Sequence, residues 1–134
     1  MDKIVEIQRA PKLFAAAEAS FVTPLLRSIT SRYASRVDPL LSQLDMMTEK
    51  QSEEATQKET EANRLIREWH QKVKKLGGEP RGLWVVDLQG NEGKYRWRNA
   101  NPEGLFWIKE GAKTGTKISL VEGPDSINLS LIHI

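Results

Sequence analysis

Lys94-Tyr95-Arg96-Trp97-Arg98 alternates basic and aromatic residues. Successive side chains of a strand point to opposite faces, so Lys94, Arg96 and Arg98 share one face and Tyr95 and Trp97 the other. A basic face beside aromatic rings can hold single-stranded nucleic acid through phosphate contacts and stacking. Lys117 is a nearby basic residue that could join it. The plainer reading is a solvated basic face whose aromatic partners lie in the core. Glu18 is a second candidate, set between Ala17 and Ala19 in an apolar turn. A carboxylate buried there would suit general-base work. It could equally bond backbone donors where Pro24 disturbs the helix, or reach Arg98. A pocket between helices and strands would then centre on Glu18, Arg98 and Trp107. No nucleophile, second carboxylate or histidine stands out as a catalytic partner.

The other reactive residues are few. His70 lies between Trp69 and Gln71, and His133 lies near the end of the chain. Neither is accompanied by the three or four ligands a zinc site needs, so no metal and no cofactor is expected. Cysteine is absent, which excludes disulfides and thiolate chemistry. Gly111-Ala112-Lys113-Thr114-Gly115-Thr116 superficially resembles a phosphate loop but lacks its spacing and a following helix, so it reads as a hairpin turn.

These residues must be positioned by a chain of 134 residues, a length that suits one domain with a modest core. Twenty basic and 18 acidic residues leave a net charge of +2, too balanced to imply nucleic acid or an anionic membrane by long-range attraction. No apolar run approaches a membrane span, and the opening Met1-Asp2-Lys3-Ile4-Val5-Glu6 lacks a secretory core. A cytoplasmic protein without membrane contact is expected. Leu131-Ile132-His133-Ile134 ends the sequence on apolar residues, as a paired strand or a truncated end would.

Two hydrophobic periods organise the chain. Val22, Leu26, Ile29, Tyr33, Val37, Leu40, Leu44 and Met47 recur every three or four residues, which predicts one buried helical stripe. Pro24 is expected to separate a short helix near 15–22 from a long one over 24–46, and Pro39 to bend or divide the latter. A second helix is bounded by a capping box of Thr48 with Gln51 and by Gly77-Gly78 followed by Pro80, giving about 28 residues or roughly 42 Å. Ala62, Ile66, Trp69, Val73 and Leu76 have the heptad spacing of a coiled coil. The first half of this helix is polar nearly all round.

After Pro80 the period falls to two. Strands are expected at Leu83–Asp87, Lys94–Arg98, Leu105–Lys109, Lys117–Val121 and Ile127–His133, separated by Gly-rich turns. The fold class is therefore α+β: a long antiparallel helical hairpin over 12–77, kinked at its prolines, followed by a small antiparallel β-meander over 82–134, in a single domain over 1–134.

Phe14, Glu18 and Ala19, then Pro24-Leu25-Leu26, form an F-x-x-x-E-A opening five residues before a proline. Leu76-Gly77, Gly82-Leu83, Val86-Asp87, Trp97-Arg98 and Trp107 follow in order. Together they resemble a bacterial family called domain of unknown function 2203, across roughly residues 13–118. Arg96, Asn101 and Ile108 replace the Cys, Glu and His of that family's pattern. The resemblance implies a fold; the family carries no established activity.

The expected function is a non-enzymatic interaction or self-association module. Helix 1 offers Phe21, Leu25, Tyr33, Leu41 and Met46 beside its main stripe, more apolar surface than one hairpin partner can cover. A homodimer through the helices or an unknown protein partner would bury the surplus. The alternatives are a nucleic-acid-associated protein using Lys94, Arg96, Arg98 and Lys117, and a small-ligand binder or enzyme using Glu18, Arg98 and Trp107.

Overall fold

The computed structural model describes residues 12–112 and 115–118. The expected strand Ile127–His133, most of Lys117–Val121, and His133 itself lie outside the described residues. Two helices, α1 (Ala16–Met46) and α2 (Glu53–Lys75), precede five strands: β1 (Glu79–Gly82), β2 (Val85–Gln89), β3 (Gly93–Arg98), β4 (Asn101–Lys109) and β5 (Thr116–Ile118). The strands form one sheet in chain order, every neighbouring pair antiparallel. A helical hairpin followed by a meander is the α+β arrangement expected. No helix among the described residues is long and apolar enough to cross a membrane.

Helix α1 runs unbroken through Pro24 and Pro39, so the expected division near residue 23 does not occur. Pro24 has no N–H to give to the carbonyl four residues earlier, that of Ser20. The buried Thr23 hydroxyl donates to that same carbonyl at 2.8 Å. The carbonyl is thus satisfied inside the helix.

The buried stripe of α1 is Ala19, Thr23, Leu26, Thr30, Tyr33, Ala34 and Val37, with Val22 and Ile29 only partly buried beside it. Its partner on α2 is Ala55, Ala62, Leu65, Trp69 and Val73, with Ile66 and Leu76 at the margin. The stripe is displaced from the purely apolar reading because a threonine has a task there. Trp69 is fully buried, and its indole N–H donates to Thr30 Oγ1 at 2.8 Å. A buried donor without an acceptor is costly, so a polar residue sits at the centre of the seam.

Helix α2 is shorter than expected, 23 residues, because it starts at Glu53 rather than near Thr48. Ser52 is the cap, its hydroxyl accepting from the Ala55 N–H at 3.1 Å. Lys50 occupies the intervening loop and donates to the carbonyls of Leu44 and Asp45 at 2.6 and 3.1 Å. A cation at the C-terminal end of α1 is favoured by the helix dipole. The far end of α2 closes as the Gly-Gly-Pro signal predicts. Gly78 N–H bonds to Val73 O and Gly77 N–H to Lys74 O, a Schellman pair. Gly77 has φ +92°, which a side chain disfavours.

The meander lies alongside α1 and does not merely close one end. Phe14 N–H bonds to Gln89 O, Arg27 pairs with Glu103, and Trp84 Nε1 donates to Asp38 Oδ1 at 3.0 Å. Trp84 also meets Trp69 edge to face at 4.9 Å. Val86, Leu88, Tyr95, Trp97 and Leu105 form the inner face of the sheet and share one core with the helices. Strand β1 was not expected, since Glu79-Pro80-Arg81-Gly82 reads as punctuation. Glu79, Pro80 and Gly82 of this four-residue strand pair with β2, with a register shift between Pro80 and Gly82. Strand β4 begins earlier than expected, at Asn101; the register shifts opposite Trp97, whose Nε1 donates to Pro102 O at 3.0 Å.

Candidate binding face on the sheet

Alternation along β2, β3 and β4 builds a second, outer face. The register aligns Glu79, Asp87, Arg96, Phe106 and Lys117 across the five strands. Gln89, Lys94 and Ile108 form a neighbouring row, and Val85 stands opposite Arg98. The basic residues Lys94, Arg96 and Arg98 therefore share one face, and Tyr95 and Trp97 the core, as alternation predicts. Lys117 holds the register position opposite Phe106.

Asp87 organises this face. It is only 4% exposed although it points away from the core. Arg96 grips both its oxygens, Nε to Oδ1 at 2.7 Å and Nη2 to Oδ2 at 2.8 Å. Arg81 Nε donates to Oδ2 at 3.1 Å, and Lys94 Nζ lies 3.3 Å from it. Burial pushes the carboxyl pKa up. Hydrogen bonds from Arg96 and Arg81, with the charges of Arg96 and Lys94, outweigh that and hold it below the usual carboxylate value. The same bond raises the Arg96 pKa further. Bidentate arginine–carboxylate geometry fixes the guanidinium plane, so Asp87 holds Arg96 in place.

Arg98 is exposed and lies over the Phe106 ring, 5.8 Å from guanidinium carbon to ring centre. No carboxylate pairs with Arg98 among the described residues. Asp87, Arg81 and Phe106 were not singled out as site residues from the sequence. The signal was available: an aspartate within Trp84-Val85-Val86-Asp87-Leu88 needs a cation if it is buried.

The proposed pocket of Glu18, Arg98 and Trp107 does not assemble. Glu18 is at the surface at the start of α1, where its Oε1 accepts from the Ala15 N–H at 2.9 Å and its Oε2 lies 3.9 Å from Lys12 Nζ. That is the returning half of a capping box. Trp107 packs on Tyr95 at 4.7 Å, on the face opposite Arg98. A small hollow does lie between α1 and β4, lined by Thr23, Pro24, Arg27, Pro102 and Glu103, and it contains none of the three.

His70 is half-buried against the Trp69 ring at 5.5 Å. Burial, then the charge of Lys74, lowers its pKa, while Glu79 opposes this. No three His, Asp or Glu side chains among the described residues are placed to hold a metal ion. Between the helices, Tyr33 donates to Glu68 at 3.2 Å, and burial followed by that carboxylate raises its pKa. The chain matches no family model, no curated protein and no solved structure.

Proposed function

We propose that this protein is a non-enzymatic interaction module that docks an anionic partner on the outer face of its sheet. The supporting observation is that Arg81, Lys94 and Arg96 all converge on Asp87, with Arg98 beside them. One carboxylate cannot neutralise that many cations. Even with Glu79 in the same row, the face keeps a positive charge. The cations are also held in place before any partner arrives, which reduces the ordering cost of binding. A cytoplasmic setting and membership of the bacterial family named above belong to the same proposal.

Binding to a fluorescent polyanion such as heparin or polyglutamate tests this reading. Saturable binding at about 50 mM salt that weakens steeply as salt is raised is expected. The double variant Lys94→Gln, Arg98→Gln is expected to weaken it about tenfold, roughly one lost cation contact per 0.7 kcal/mol. A protein that ignores every polyanion at low salt ends the proposal.

A second reading, self-association through α1, has one observation in its favour. Phe21 is 75% and Leu25 51% exposed, one helical turn apart. The surplus is smaller than the sequence implies, because Tyr33 is buried and Leu41 is half-buried in the core. Light scattering at rising concentration is expected to show a dimer that Phe21→Ser with Leu25→Ser abolishes. A monomer at every concentration removes this reading.

A further inference from the structure

We infer that the anionic partner is single-stranded nucleic acid, laid along β3 with a base stacked at Arg98 and Phe106; this rests on the docking reading above. Charge complementarity fixes the sign of the occupant, and the row of residues fixes its kind. Lys94, Arg96 and Arg98 leave one face of β3 at alternate positions, the heads of Lys94 and Arg96 meeting at Asp87 and that of Arg98 standing apart over Phe106. A flexible polynucleotide can set its phosphates against both groups of charge. Phe106 lies directly across from Arg96 in the register, so an aromatic ring stands beside that cation.

The guanidinium of Arg98 over that ring presents a flat, charged surface. Bases splayed from a single strand stack on aromatic rings and on arginine planes, and the contact tolerates any sequence. Ile108, half-buried on the same face, extends the apolar floor. An acidic peptide would use the cations but has no planar ring for Phe106 and Arg98. A duplex keeps its bases stacked inside and meets a flat pleated face at few phosphates. Gln89, beside Lys94 in the register, is occupied with the carbonyls of Gly90 and Gly93, so it shapes the turn and is not a reading group.

Fluorescence anisotropy with a labelled oligothymidylate of about 16 nucleotides tests the inference. Binding is expected at about 50 mM salt, with log affinity falling against log salt at a slope near −2 to −3, as about three or four phosphate contacts require. Phe106→Leu is expected to weaken binding about tenfold and leave the slope unchanged, because stacking carries no counterions. Arg98→Gln is expected to flatten the slope by about 0.7 and to weaken binding as well. Circular dichroism establishes that each variant is folded. A matched duplex and polyglutamate should compete less well than unlabelled oligothymidylate. If polyglutamate binds and the oligonucleotide does not, the nucleic-acid inference is overturned and the docking reading stands. If neither binds, both fail. Oligonucleotide binding that a folded Phe106→Leu variant retains in full also overturns the inference, since the ring would then do nothing.

Discussion

Trp69→Ala is expected to cost about 4 kcal/mol, the middle of the range for emptying a buried tryptophan site. Trp69 has no exposed surface, and it joins three parts of the molecule. It faces α1 through the bond to Thr30 Oγ1 and meets Trp84 of the β1–β2 turn edge to face. Trp84 in turn reaches Asp38. Removing the indole opens a cavity, leaves the Thr30 hydroxyl without its donor and strips Trp84 of an aromatic neighbour. A domain of this size has a total stability of about 5–15 kcal/mol, so the variant should stand near the edge of folding. Urea unfolding followed by circular dichroism measures the loss. Trp69→Phe removes the indole N–H together with part of the ring volume and should cost less than Trp69→Ala. Adding Thr30→Val to Trp69→Phe should recover part of that loss, because the unpaired hydroxyl goes with it. A Trp69→Ala midpoint unchanged from the parent would mean that the helices do not meet at this residue.

Asp87→Asn is the second large effect. The substitution keeps the shape and removes the charge that three cations share. Breaking a buried ion pair from one side typically costs about 3–5 kcal/mol. The low end, about 3 kcal/mol, applies here, because Arg81 is half exposed and its contribution is screened. The effect has a defined pH dependence. The folded carboxyl has a pKa below its unfolded value of about 3.9. Its contribution is therefore complete above that value and disappears as pH falls through the folded pKa. The stability gap between parent and variant should be full at pH 7 and begin to close below about pH 4. Denaturant titrations at a series of pH values read this directly. A gap that persists undiminished into strong acid would show that the loss is steric and that ionisation of Asp87 contributes nothing.

What the sequence disclosed depended on how local the cause was. The Gly77-Gly78 stop was legible because the Schellman pair is built within five residues. The basic face was legible because alternation needs only one strand. Thr23 and Thr30 were not, since their places in the stripe follow from Pro24 and from Trp69, the latter 39 residues away. Leu65 was missed because the heptad spacing selects Ile66, whereas the buried seam runs through Ala62, Leu65, Trp69 and Val73. Glu18 was open to two readings, because an acidic residue among alanines can be a buried carboxylate or a partner for backbone donors. At the helix start it accepts from the Ala15 N–H. Arg98 and Trp107 could not be separated until the strand register placed them on opposite faces. Asp87 required knowing that Arg81 and Arg96 flank it on neighbouring strands.

The short outer strand β1 has a bearing on how copies of this chain meet. A sheet margin normally offers a ladder of unsatisfied amides that a foreign strand can zip onto. Here that margin carries Pro80, which lacks an amide hydrogen, a break in register before Gly82, and the charged chains of Glu79 and Arg81. These features disfavour edge-to-edge growth of the sheet on this side, and with it fibril-like accretion.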